Sequence, residues 1–197
     1  MINAALKVFA LNGYRHASTD DIVREAAISK GLLFHYFENK LGVYAFVYDY
    51  SVRYLLLELS TAVDAKETDL FTLMQQVETG KMHAMCGYPY LQPFLNRAQA
   101  ENVNEALVAV EERKQQMEEA YENIYARADL GKYAAAEDVM KLRKMMELTI
   151  KGLMNERILE DAFQPEMLDE EILEYLQLSR RLAERSGQPS DEEITEK

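Results

Sequence analysis

Five side chains between Thr19 and Lys40 have the chemistry to grip a polyanion. Lys30 and Lys40 bring ammonium groups, Thr19 and Tyr36 bring hydroxyls, and His35 brings an imidazole. Beside them Gly31 offers bare backbone, and Leu32 and Phe34 offer apolar surface. Charge pairing and hydrogen bonding need no more than this, whereas catalysis does. His16, His35 and His83 stand in no Glu-x-x-His or His-x-x-x-His spacing that would gather a metal on one helix face. Acid pairs such as Glu111-Glu112 and Glu118-Glu119 read as solvated helix faces, and the sequence gives no reason to expect an enzyme.

These residues need two short helices to position them. Ser18 suits a helix N-cap, with Asp21 three residues on, and Ile22, Val23 and Ala26 form an apolar face. Ser29 suits a second N-cap, ahead of Leu33 and Phe37 four residues apart. Only a tight turn around Ala27-Ile28 separates the two, so they meet steeply, as in a helix-turn-helix.

Residues 1–46 resemble the DNA-binding domain of TetR-family transcriptional regulators. The resemblance is carried by the opening helix Ile2–Leu11, Asn12-Gly13, Ser18-Thr19-Asp20-Asp21-Ile22, Ile28-Ser29-Lys30-Gly31, Phe34-His35-Tyr36-Phe37 and Asn39-Lys40. It implies that Lys30, Gly31, Leu32 and Phe34 face the major groove. His35 and Tyr36 would flank it, and Thr19, Tyr36 and Lys40 would hold phosphates. The sequence departs from the family pattern at Ala27, where glycine is usual, and at Leu32, where a small or hydroxyl residue is usual. The residues given also begin inside helix one, ahead of which the family often carries a basic arm.

The rest of the chain reads as all-α, about nine helices in total. A three-helix DNA-binding domain over 1–46 is followed by a ligand-binding and dimerisation domain over 47–185 and a disordered polar tail over 186–197. Gly13 is the expected stop of helix one. Helix four is expected from Asn39 to Ala62, helix five over 69–86 and helix seven over 102–128. Helix eight is expected over 134–157 and helix nine from Pro165 to Arg185. Tyr88–Leu95 reads as a short sixth segment, with Pro89 in its first turn and Pro93 distorting it.

Charge is unevenly spread. The chain of 197 residues carries a net charge of −12, yet residues 1–48 hold five Lys or Arg against four Asp or Glu, and the remainder 17 against 30. The front can approach phosphate while the acidic remainder faces away. Cys86 is the lone cysteine, so no disulfide forms within the chain, which fits a cytoplasmic protein. No signal peptide is visible, and no apolar run approaches the ~18 residues of a membrane span.

The resemblance further implies a small-molecule effector, expected here to be apolar, held between helices four and seven. Tyr48, Met74, Gln75, Met82, His83, Cys86, Tyr90, Phe94, Met117 and Tyr121 are the candidates. It also implies a homodimer on an inverted-repeat operator, joined through helices eight and nine. Met140, Met145, Met146, Leu153, Leu173, Leu176 and Leu182 give those helices surplus apolar surface. No cofactor and no membrane contact are expected. The alternative is the same fold acting through a protein partner with weak or no DNA binding.

Overall fold

Four helix starts are fixed by one device. Ser18 Oγ, Ser29 Oγ, Asn39 Oδ1 and Asp69 Oδ1 each accept the backbone N–H three residues on, at 3.1, 3.1, 2.9 and 2.9 Å. The computed structural model describes residues 1–133, 135–158 and 164–185. In order they form α1 (Ile2–His16), α2 (Thr19–Glu25), α3 (Lys30–Tyr36), α4 (Lys40–Ala62), α5 (Leu70–Gly87), α6 (Leu91–Gln99), α7 (Asn104–Tyr125), α8 (Ala136–Arg157) and α9 (Pro165–Arg185). A single 3₁₀ turn, Leu130–Lys132, lies between α7 and α8. No strand occurs among the described residues, and none of their helices is long and apolar enough to cross a membrane. The tail 186–197 lies outside the described residues.

Several boundaries move for local reasons. Gly13 does not end α1. It takes φ +68° as a kink inside the helix, and the chain continues to His16. A Cβ there would lie 3.1 Å from Arg97 Nε, so glycine serves both the backbone angle and the approach of α6. α6 is not distorted by Pro93, which falls at its third residue, where a helix has no internal use for the missing N–H. Pro89 lies ahead of α6, in a turn closed by Leu91 N–H to Tyr88 O at 2.8 Å. α7 starts late because Glu101 Oε1 takes the N–H groups of Asn102 and Val103.

Two cores result. The first runs without a break from α1 through α4 and α6 to α7, and includes Leu6, Phe9, Ile22, Leu33, Tyr44, Tyr48, Phe94 and Met117. Phe94 is its hub, with ring centroids 6.0 Å from Phe9, 5.5 Å from Tyr44 and 6.0 Å from Tyr48. The second joins the outer face of α5 to α8 and α9 through Leu70, Met74, Met82, Ile150, Leu168 and Ile172. Asp69 reinforces it by accepting Arg180 at 2.7 Å.

The turn between α2 and α3 carries strain. Ala27 adopts φ +51°, and no other non-glycine described residue has a positive φ. A Cβ in that region costs about 1 kcal/mol. Ala27→Gly is therefore expected to raise the unfolding free energy by about 0.5–1 kcal/mol. Ala17→Gly, at φ −65°, should lower it. Urea denaturation of both variants checks this, and a destabilised Ala27→Gly would remove the strain.

Candidate functional site

α3 is sealed on one side and open on the other. Leu33 is fully buried in the first core. Around it Leu32 is 46% exposed, Phe34 39% and Tyr36 70%. Nothing stands within 4 Å of where a Gly31 Cβ would be, so this backbone is free to approach a partner. Lys30 Nζ meets Asp20 Oδ1 at 2.8 Å, an exposed pair worth little and easily exchanged for a phosphate. His35 packs edge-on against Tyr36 at 5.0 Å, and Thr19 is the first residue of α2. Thr19, Lys30, Gly31, Leu32, Phe34, His35 and Tyr36 thus cluster along α3 and the start of α2.

Lys40 is not among them, contrary to its expected phosphate role. Its ammonium donates to Tyr14 O at 2.8 Å, Ala17 O at 3.1 Å and Arg15 O at 3.4 Å, and lies 4.4 Å from the Tyr14 ring centroid. All three of its donors close the end of α1. The positive end group satisfies carbonyls that have no helical partner because α1 ends at His16.

The freed Tyr14 N–H is caught from the other side. Glu101 Oε2 accepts it at 2.9 Å, and Glu105 Oε1 accepts the Tyr14 hydroxyl at 2.6 Å. Burial alone would raise the Glu101 pKa. The N–H groups of Asn102, Tyr14 and Val103 outweigh that and hold it below the ordinary value. The segment after α6 and the start of α7 are thereby fastened to the end of α1.

The space best suited to a small molecule is not walled by helix four but lies between α5, α6, α7 and α8. It is a cleft of about 180 Å³, smaller than the ~300–1,000 Å³ of drug-sized sites. Of the expected lining only Met74 and Tyr121 are there. Tyr48, Phe94 and Met117 are packed in the first core and Met82 in the second. Gln75, His83 and Cys86 lie exposed on α5, and Tyr90 precedes α6. Apolar spacing finds the core, and here the core has used those side chains.

The cleft also gathers charged and amide side chains. Lys81 Nζ meets Glu78 Oε1 at 2.7 Å and stands 5.6 Å from the Tyr121 ring. Burial opposes the Lys81 charge, but Glu78, Tyr121 and Tyr125 more than offset it and raise its pKa. Arg143 lies 3.9 Å over the Tyr125 ring and bridges to Glu147 at 3.1 Å. Lys151 Nζ donates to Gln99 Oε1 at 2.8 Å, and Gln92 Nε2 donates to Asn96 Oδ1 at 2.9 Å. One signal in the sequence could have found this site. Glu78 and Lys81 are the only acid and the only Lys or Arg in the eighteen residues of α5, set one turn apart.

An all-helical chain that presents an open, exposed helix ahead of a helical body has the arrangement of a helix-turn-helix protein. Residues 1–45 match the family described as bacterial regulatory proteins, tetR family, so the N-terminal part of the chain is similar to the DNA-binding domain of that family. No curated protein matches its sequence. Among solved structures it is similar to the fatty acid degradation regulator FadR from Bacillus halodurans, at 18% identity and TM-score 0.60, over 90% of this chain and 95% of that one. FadR from Bacillus subtilis in complex with stearoyl-CoA gives 19%, 0.58, 90% and 95%. The TetR-family regulator PfmR from Thermus thermophilus gives 18%, 0.54, 91% and 96%. At these identities the likeness is one of fold.

Lys40→Met is expected to lower the unfolding free energy by about 1–3 kcal/mol in the absence of DNA, because it strips three carbonyls of a charged donor. Thermal unfolding reads this directly. An unchanged midpoint would return Lys40 to the surface.

Proposed function

We propose that this protein represses transcription as a homodimer on an inverted repeat and releases DNA when an effector enters the α5–α8 cleft. The observation that carries the DNA half is α3 itself, with Leu33 sealed inward and Lys30, Gly31, Leu32, Phe34, His35 and Tyr36 on the outside. Leu32 and Phe34 suit thymine methyls, Lys30 a guanine edge or a phosphate, and Tyr36 a phosphate oxygen. Such a surface reads methyl positions and groove shape more than bidentate hydrogen-bond patterns.

One recognition helix reads only a few base pairs, so two are needed. Supporting a dimer, α8 exposes Met145 and Leu148, and α9 exposes Tyr175, Leu178 and Leu182 at intervals of three and four residues. Met140 is exposed as well, whereas Met146 and Leu176 from the expected interface belong to the second core. We place the domain division near residue 46 by function, since the first core passes across it unbroken.

Release would run through α6. One side of this helix carries Phe94 into the first core, and the other lines the cleft with Gln92, Asn96 and Gln99. An effector that prefers one position of α6 biases the seat of α1, and it can do so only by differential affinity for the two states. The signal then travels through a movement of α6 and not through a tilt of α4.

Retention of genomic fragments on the purified protein, followed by sequencing, tests the DNA half. One enriched inverted repeat is expected; no enrichment would favour the protein-partner reading. On the enriched site, Lys30→Ala should reduce the slope of log K against log[salt] by about 0.9 if Lys30 neutralises a phosphate. An unchanged slope with relaxed base preference would assign it to a base edge. Leu148→Glu with Leu178→Glu should shift the sedimenting species from dimer to monomer, and an unaltered dimer would move the interface elsewhere.

A further inference from the structure

Among the described residues four buried side-chain polar atoms lack a hydrogen-bond partner, and three of them belong to residues lining the α5–α8 cleft: Glu78 Oε2, Gln92 Oε1 and Arg143 Nε. Glu78 is 4% exposed and Gln92 7%. Each has its other polar atom engaged, Glu78 Oε1 by Lys81 and Gln92 Nε2 by Asn96, so the orphans are fixed in place. Buried polar groups are nearly always paired, and leaving them unpaired costs free energy that an occupant would return. Three such atoms around one small space describe the polar half of a ligand.

Their chemistry limits what fits. Two unmet acceptors call for two donors, and one unmet donor calls for an acceptor. The charged lining is Glu78 and Glu147 against Lys81, Arg143 and Lys151, an excess of one positive charge. Burial, together with the nearby Lys144 and Lys81, pulls the Lys151 pKa down despite Glu147, and an anion between the two lysines of the cleft would relieve that. Only Met74, Ile150 and Met154 of the lining lack a polar group.

We propose that the cleft binds a small organic anion that also carries hydroxyl or ammonium donors. Its donors meet Glu78 Oε2 and Gln92 Oε1, and its anionic end meets Lys81, Arg143 and Lys151. The assignment rests on reading the cleft as the effector site, and it replaces the apolar effector expected from the sequence.

Isothermal titration of the full chain with D-gluconate, L-glutamate and glycerol 3-phosphate tests it, with octanoate and stearoyl-CoA as donor-poor and long-chain comparisons. At least one of the first three is expected to bind with Kd below about 1 mM, and octanoate is not. Gln92→Met should weaken that binding roughly tenfold with little change in the thermal midpoint of the empty protein, because the bond lost to Asn96 is offset by removal of an unpaired buried acceptor. Lys151→Met, at an exposed position, should weaken it comparably. Binding of none of the three, or binding indifferent to both substitutions, overturns the proposal. DNA release by stearoyl-CoA with no response to the three anions overturns the ligand class and leaves the regulatory reading standing. Failure of the protein to retain any DNA overturns the regulatory reading, while the titration still decides the ligand class.

Discussion

The insertion of Phe94 between Phe9, Tyr44 and Tyr48 is the contact on which the rest of the molecule depends. It puts one ring from the body into the core of the DNA-facing helices, at tilted and edge-on geometries that favour aromatic pairs. A fully buried phenylalanine of this kind is worth about 3–5 kcal/mol against alanine. It makes α1 and α6 a single packed unit, and the Tyr14 bonds to Glu101 and Glu105 fix the angle between them. The Gly13 kink is what makes room for this: it opens the end of α1 toward Arg97 and Glu101 on one side and toward the Lys40 ammonium on the other.

The body then divides its work between two faces of α5. One face, through Val77 and Ala84, completes the first core. The other, through Leu70, Met74 and Met82, forms the second with α8 and α9. Glu78 and Lys81 stand at the seam, where neither core can satisfy a charge. They satisfy each other and leave one carboxylate oxygen over. A buried pair of this sort is weak support for stability. Its position at the edge of a polar cleft, bordered by the same α6 that carries Phe94, fits it better to recognition. A second connection runs outside the core: Phe37, at the end of α3, packs on Phe46, and a line of rings continues through Tyr50 and Tyr54 to Tyr88, just ahead of α6.

Local rules were readable in the sequence, and long-range ones were not. Ser18, Ser29 and Asn39 declare their helices because a cap bonds only three residues away. The bounds of α4 and α9 follow from periodicity with a cap or a proline. Ala27 could be singled out because its place in the turn demands a backbone angle that alanine resists. By contrast, the Lys40 partners are 23 to 26 residues away, and nothing in its own neighbourhood separates a phosphate ligand from a helix cap. The cleft failed for a related reason. Methionine and tyrosine at helical spacing mark burial and do not distinguish a lining from a core, so Tyr48, Phe94 and Met117 went into packing. The informative residues were Glu78 and Lys81, the lone acid and the lone Lys or Arg of α5.

The central claim is that α6 transmits the state of the cleft to α1. Amide hydrogen exchange tests it most directly, comparing the wild-type chain with Asn96→Trp, which fills the cleft from the α6 side. The account predicts altered protection in α1 around Phe9–Tyr14, including the Tyr14 amide held by Glu101. Altered exchange confined to α5, α7 and α8, with α1 unchanged, would contradict it.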